Sequence, residues 1–443
     1  MYRSRLRTGA AAAALAGLLA ACAGDEDRQR QAVSDLGAWL DQELQLGPEG
    51  QPWEEALGLS LEPAAVERLV LRRNPDAVAA LERWVGQLER APQARGLPDP
   101  WLRYRYSSMF RMHTVELMQE VPYPEKLLAD GRAALAMARV GEAQAAQVRN
   151  ALRERTGAAL GALHAARRTL ELVEQSLADL ERFVELARTK YAAGAASQSD
   201  VLRAELERDG LRAAREGAVR DALLATSALN ALLDRRPDAA LGPVRLPPLP
   251  VPEPLAGLLQ RAQERHPDLS AARARLEYGR EMVGHADLAW VPDLVFGGAY
   301  VRDFGADEDE LELTAGLSLP VWGWKNQAHR REAQAVCREA EAEVRGARAR
   351  VLDEVVQAAG RLQAAAAQER ILREQALPTA ARNVAVTEAA YVAGQVDLLA
   401  LIDAQRQVLG QRIEQARLEG EGLAAEAALR RATGETGEEV RGE

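Results

Sequence analysis

The sequence predicts a mainly α-helical chain with short β segments, a duplicated unit of long antiparallel coiled-coil helices with one β-hairpin in each copy. Three observations predict it. Aromatic residues make up only 4% of the 443 residues, while alanine, leucine, glutamate and arginine dominate, a composition suited to long helices that pack through small and aliphatic side chains. The chain repeats itself once. Within each copy the hydrophobic period changes from helical to alternating and back to helical.

The repeat is legible as four landmarks that recur in the same order. Asn74-Pro75-Asp76 returns as His266-Pro267-Asp268, and Leu97-Pro98-Asp99 as Val291-Pro292-Asp293. Val121-Pro122-Tyr123 returns as Leu319-Pro320-Val321, and Tyr191-Ala192-Ala193-Gly194 as Tyr391-Val392-Ala393-Gly394. The first copy is placed at 53–235 and the second at 255–434. Between them, 236–254 holds Pro237, Pro243, Pro247, Pro248, Pro250, Pro252 and Pro254, which forbid helix and favour an extended linker. A loose tether is expected over 22–52, and a disordered charged tail over 435–443.

Each copy opens with a helix, Glu62 to Leu88 in the first and Leu255 to Leu288 in the second. Alternating segments follow the Pro-Asp landmarks, within 101–120 and 293–319: Trp101 to Tyr106 with Thr114 to Glu120, then Leu294 to Arg302 with Leu311 to Leu319. The last is the clearest, with Leu311, Leu313, Ala315, Leu317 and Leu319 on one face and Glu312, Thr314, Gly316 and Ser318 on the other. The acids Asp303, Asp307, Glu308, Asp309 and Glu310 read as a solvated loop between these strands. A helix nearly free of breakers then runs from Glu125 to Tyr191, roughly 100 Å at 1.5 Å per residue. Leu163, Ala166, Leu170, Val173, Leu177, Leu180, Val184, Ala187 and Tyr191 form a heptad seam on it. Its partner is the return helix from Asp200 to about Leu233, and the second copy repeats the seam with Leu377, Ala380, Val384 and Tyr391. Pro378 should kink that second helix.

Four strands cannot stand alone in a bilayer, because open edges leave backbone groups without partners in hydrocarbon. Closure into a barrel needs at least eight strands. Two copies of the chain supply eight, and three supply twelve. Trp101, Tyr123, Trp290, Trp322 and Trp324 flank the strands and fit an interfacial aromatic girdle, or alternatively pack on the neighbouring helices.

At the amino terminus, Arg3, Arg5 and Arg7 precede an apolar run from Gly9 to Ala21 that is too short to span a bilayer. Leu19-Ala20-Ala21-Cys22 resembles the lipobox of bacterial lipoproteins, so 1–21 is expected to be a signal peptide and Cys22 a lipid anchor. Ala23 in place of an aspartate points to outer-membrane delivery. The formal charge of −10 argues against nucleic-acid binding. Cys22 and Cys337 are too few and too far apart for a zinc cluster, and Cys337 is expected to pack as a small apolar residue. No nucleophile, acid pair or metal set stands at a recognised spacing, so no enzyme and no cofactor are expected.

The tips carry a resemblance. Tyr191-Ala192-Ala193-Gly194-Ala195-Ala196-Ser197-Gln198-Ser199-Asp200-Val201-Leu202 is similar to the Tyr-x-x-Gly-x-x-Ser-x-x-Asp-Val-Leu turn of the TolC-like outer-membrane efflux proteins, and Tyr391 through Gly394 to Gln405 resembles its partner. The resemblance extends over nearly the whole mature chain. It implies a homotrimer whose strands form a 12-stranded β-barrel and whose helices form a periplasmic α-barrel, an exit duct for a tripartite efflux system. A periplasmic adaptor (membrane fusion protein) would grip tips centred on Tyr191, Gly194, Ser197, Asp200, Tyr391, Gly394 and Asp397, and the inner-membrane pump would be of the RND type. Gly194 and Gly394 allow the chain reversal, and Asp200 is expected to cap the return helix. Ala400 stands where many relatives place a gate aspartate, which leaves Asp403 as the candidate acidic ring of the channel gate, or else as a solvated carboxylate.

Similarities around Leu97-Pro98-Asp99-Pro100 and Pro122-Tyr123-Pro124-Glu125-Lys126 lean toward heavy-metal efflux over drugs. Met109, Met112 and His113 in the first hairpin are soft-cation candidates, or incidental. A type I protein-secretion duct and a lipid-anchored periplasmic coiled-coil scaffold remain as rival readings. The scaffold does not account for two alternating hairpins flanked by aromatics.

Overall fold

A computed structural model of the chain describes residues 26–38, 52–109, 111–194, 196–247, 253–304 and 306–435. Cys22 lies outside the described residues. The first helix, α1, spans 26–38. It is followed by α2 (Trp53–Leu59), α3 (Pro63–Arg73), α4 (Pro75–Leu88), α5 (Arg90–Arg95), β1 (Trp101–Ser107), β2 (Met112–Val121), α6 (Pro124–Ala192) and α7 (Gln198–Leu232). The second half contains α8 (Leu255–Arg265), α9 (Pro267–Asp287), a 3-10 turn (Leu288–Trp290), β3 (Leu294–Asp303) and β4 (Glu308–Leu317). It ends with α10 (Gly323–Ile371), α11 (Leu377–Val392) and α12 (Leu398–Thr433). The mainly helical architecture with short strands is the one the sequence predicts.

The chain divides into two compact units. One contains α1, most of α4, α5, the four strands, α9 and the first parts of α6 and α10. In it the strands form a single antiparallel sheet in the order β1-β2-β3-β4. Register fixes its two faces. One carries the rows Leu102, Leu117, Gly298, Leu313 and Tyr104, Val115, Tyr300, Leu311. The other carries Arg103, Glu116, Ala299, Glu312 and Arg105, Thr114, Val301, Glu310. Among the described residues none covers the apolar face, where Leu313 is 84% exposed.

Two segments differ from the sequence expectation. Residues 26–38, placed in a loose tether, form α1, because Val33 packs on the cluster of Leu88, Ala91, Leu135 and Ala138 and polar groups flank that contact. Glu26 bonds Arg95 at 2.8 Å, Arg30 reaches Glu89 at 2.6 Å, and Gln29 donates to the Leu135 carbonyl. The acids Glu308, Asp309 and Glu310, read as loop, belong to β4. Their backbone pairs with Asp303, Arg302 and Val301, and Arg302 bonds Asp309 at 2.9 Å.

The base of the sheet is closed by one carboxylate. Asp293 accepts from Lys126 Nζ with both oxygens, at 2.9 and 2.8 Å, and from the Tyr123 amide at 2.9 Å. Lys126 also donates to the Val291 carbonyl at 2.6 Å. A second polar contact in this unit joins α9 to α6, where His285 Nε2 lies 2.9 Å from Asp130. The Asp130 hydrogen bond holds the His285 imidazolium above its ordinary pKa, against desolvation and the nearby Lys126 ammonium. A raised histidine pKa contributes stability fully below about pH 6.5, and that contribution is lost as pH rises through the folded-state value. The thermal midpoint of the parent should therefore exceed that of Asp130→Asn more at pH 6 than at pH 8.5. Parallel pH curves for the two proteins would refute this.

The second unit holds α2, α3, α7, α8, α11, α12 and the remaining parts of α6 and α10. The helix expected from Glu62 to Leu88 is broken into α3 and α4 at Asn74, and the one expected from Leu255 to Leu288 is broken into α8 and α9 at His266. Both break residues are extended, with ψ of 126°, because a following proline ring excludes the helical region. The inter-repeat linker turns at Pro237 and Asp238, where the Ala239 amide donates to the Arg236 carbonyl at 3.0 Å, and then runs extended beside Leu61. Leu61 donates to the Pro243 carbonyl at 2.8 Å, and Arg245 donates to the Leu61 carbonyl at 2.9 Å. Before Pro378, the expected disturbance takes the form of a π-helical turn over Leu372–Ala376, since proline offers no amide to the carbonyl one turn back. Helices α6 and α12 meet at glycines. A β-carbon added to Gly161 would lie 2.2 Å from the Gly420 carbonyl oxygen, and one added to Gly420 would lie 2.4 Å from that of Gly161.

Candidate functional site: the helical tips and the amphipathic sheet

At the first tip, α6 ends at Ala192 and Gly194 reverses the chain with φ of +74°, a conformation that a side chain disfavours. Gly394 does the same after α11, with φ of +76°. The capping assignment needs correction: the N-cap of α7 is Ser197, and Asp200 sits at the third helical position. Ser197 Oγ accepts the Asp200 amide at 3.2 Å, and Asp200 accepts the Ser197 amide at 3.0 Å. This reciprocal box satisfies two amides that a helix start otherwise leaves unpaired. In the second tip Asp397 is the N-cap of α12 and accepts from the Ala400 amide at 3.0 Å.

The two tyrosines of the repeated motif have different surroundings. Tyr191 is exposed, whereas Tyr391 is buried with Leu180, Phe183, Val184, Ala187, Ala204, Leu398, Leu401 and Ile402. The Lys190 ammonium stands 4.1 Å from the centre of the Tyr391 ring and donates to the Tyr391 carbonyl. Burial, then the Asp200 charge, pushes the Tyr391 phenol above its ordinary pKa. Asp403 is exposed on α12 with Arg406 3.7 Å away, and Arg406 also forms a two-pronged ion pair with Glu207 on α7. Lys190, Arg406 and Glu207 were not singled out from the sequence, because contacts roughly 200 positions apart leave no local pattern.

Trp290, Trp322, Tyr123 and Trp324 are exposed beside the helix-side ends of the strands. Trp290 also lies against the start of α10, where an added Gly323 β-carbon would stand 3.2 Å from its ring. Trp101 departs from the girdle pattern. Its register with Met118 puts it on the face of Arg103 and Arg105 rather than among the apolar rows. Toward the hairpin turns, Tyr104, Tyr106 and Tyr300 line the apolar side. Phe304 packs edge-on against His113, 5.0 Å away. These rings were missed, though the spacing of Tyr104 and Tyr106 was a period-2 signal. His113 Nδ1 is 2.7 Å from the Tyr104 hydroxyl and its ring is 4.8 Å from that of Tyr106, so its close neighbours are aromatic. Among the described residues no three His, Cys, Asp or Glu side chains converge as a metal site.

Residues 258–435 match the outer membrane efflux protein family. Over that range the chain is similar to the outer-membrane efflux proteins. It is 25% identical over 325 residues to the cobalt-zinc-cadmium resistance protein CzcC of Cupriavidus metallidurans, covering 72% of this chain and 77% of that one. Its fold superposes on the outer-membrane channel OprN with a TM-score of 0.73 at 20% identity, over 84% of this chain and 89% of the other. The outer membrane protein VceC of Vibrio cholerae gives 0.70 at 22% identity, over 84% and 96%. No helix among the described residues is long and apolar enough to cross a membrane. Proteins of this family work with an adaptor and an inner-membrane pump.

Proposed function

We propose that this protein is the outer-membrane exit duct of a tripartite efflux system, passively conducting what an inner-membrane pump delivers through a periplasmic adaptor. The sheet carries the proposal. It has one apolar and one charged face, and β1 and β4 are open edges. In lipid, such edges are satisfied only by closure, and three chains close a barrel of twelve strands. The apolar rows then face lipid between two sets of aromatic side chains: Tyr104, Tyr106 and Tyr300 at one level, Trp290, Trp322, Trp324 and Tyr123 at the other. Cys22 supplies the lipid anchor, the Gly194 and Gly394 tips dock the adaptor, and the pump is of the RND type. The CzcC relative favours metal cations as cargo.

Single-channel conductance in a planar bilayer, with the mass of the particle in detergent, tests the reading. Steady pores from a trimer are expected. A folded monomer without conductance would overturn it. At the tips, three copies of Asp403 line the narrowed mouth as an acidic ring that favours cations. Asp403→Ala should lower the cation-to-anion permeability ratio severalfold, read from reversal potentials in a salt gradient. An unchanged ratio would return Asp403 to a solvated carboxylate.

A further inference from the structure

The duplication, read together with the register of the sheet, specifies how one copy of the chain meets the next. Two equivalences matter: Asp99 with Asp293, which carries β1 onto β3, and Val121 with Leu319, which carries β2 onto β4. They convert the observed pair Trp101↔Met118 into Val295↔Gly316, and that is the register found between β3 and β4. The two hairpins are therefore the same object twice. What joins them inside the chain is the β2–β3 ladder, where Leu117 faces Gly298 and Glu116 faces Ala299, locked at its base by Lys126 on Asp293.

Each half of that lock exists a second time without a partner. Lys126 is the third residue of α6, and Lys325 is the third residue of α10. Asp99 is the counterpart of Asp293. Asp99 and Lys325 are both exposed and form no ion pair among the described residues. They also belong to the two open edges, Asp99 ahead of β1 and Lys325 beyond β4.

We infer that β4 of one copy pairs with β1 of a second copy in the register that the internal β2–β3 joint dictates, with Lys325 of the first bonded to Asp99 of the second. The same equivalences place Ala315 opposite Tyr104 and Thr314 opposite Arg105. This keeps the faces in phase, since Tyr104 and Ala315 lie on the apolar side, and Arg105 and Thr314 on the charged one. The geometry of closure agrees. A row across the ladder runs Tyr106, His113, Arg302, whereas the repeat equivalent of Tyr106 is Tyr300, so the register climbs two residues per hairpin. Two residues of rise over two strand spacings is a tilt of about 35°, which falls within the range of closed barrels. A flat closure, with Arg105 opposite Glu310, lacks that tilt. The inference rests on the multi-chain barrel proposed above and adds its seam.

Paired cysteines test it in the full lipidated chain, with Cys337→Ala to remove the free thiol. Arg105→Cys with Thr314→Cys, oxidised in outer membranes, should link chains into covalent multimers that a reductant dissolves, since opposed α-carbons of an antiparallel pair, about 4.5–5.5 Å apart, are within disulfide reach. Glu116→Cys with Ala299→Cys is the internal control and should close within one chain. Arg105→Cys with Glu310→Cys should leave the chains unlinked. Linking through 310 and not 314, or a trimeric mass with neither link, would overturn the seam while leaving the duct reading intact; a monomeric mass would overturn both. Should the cysteine variants fail to assemble, charge exchange gives a second readout. Asp99→Lys should lower the heat resistance of the trimer in detergent, and adding Lys325→Asp should restore it. A double variant as weak as the two losses combined would overturn the ion pair.

Discussion

Gly420→Leu is expected to destabilise the protein by about 3 kcal/mol and to lower its thermal midpoint by several degrees. The reason is geometric. Helices α6 and α12 approach so closely at Gly161 and Gly420 that even a methyl group on either would fall within 2.5 Å of the other's carbonyl oxygen. The obstacle is backbone on a continuous helix, which cannot rotate away as a side chain can, so the two helices must separate. Contacts along the same crossing would be disturbed with them. An added Gly157 β-carbon would stand 2.3 Å from that of Ala427, and His164 bonds Glu419 at 2.8 Å. Gly420→Ala should show the same effect in reduced form, and Gly210→Ala, where the added carbon meets nothing within 4 Å, should be neutral or slightly stabilising because it favours helix. Thermal unfolding followed by circular dichroism checks the series. A Gly420→Leu protein as stable as the parent would show that the crossing is looser than described.

Asp293→Ala should cost about 3–5 kcal/mol, the usual cost of stranding one partner of a largely buried ion pair. Lys126 is 16% exposed at its side chain and Asp293 20%. With the carboxylate gone, the ammonium keeps only the Val291 carbonyl, and the Tyr123 amide loses its acceptor. The Lys126→Met, Asp293→Leu double change should be milder than Asp293→Ala, because it removes both charges and leaves neither stranded. Thermal unfolding followed by circular dichroism reports the loss. A double variant as damaged as Asp293→Ala would assign the defect to the Tyr123 amide instead.

Elements that depend on local pattern were legible in the residues alone. The heptad seam from Leu163 to Tyr191 predicted the long helix α6, and the alternation from Leu311 to Leu317 predicted a strand with one apolar face. The glycines at 194 and 394 marked the reversals, because only a residue without a β-carbon takes a positive φ at little cost. Where local rules competed, the reading was less sharp. Apolar periodicity suggested one helix from Glu62 to Leu88, but the steric effect of Pro75 on Asn74 prevailed. Aspartate is a common N-cap, so Asp200 was favoured, yet the hydroxyl of Ser197 three residues earlier holds that position. The face of Trp101 depended on its register with Met118, which alternation near a strand end does not fix.

Which copy of a repeated feature is used inside the chain was set by long-range packing. Tyr191 and Tyr391 stand in the same motif, but Lys190 and the tip cluster enclose only the second. Lys126 and Lys325 look alike in sequence, yet Asp293 is within reach of the first alone. The physical reason is that sequence pattern records periodic burial along one element, whereas ion pairs such as Arg406 with Glu207 depend on helices brought together from positions nearly half the chain apart.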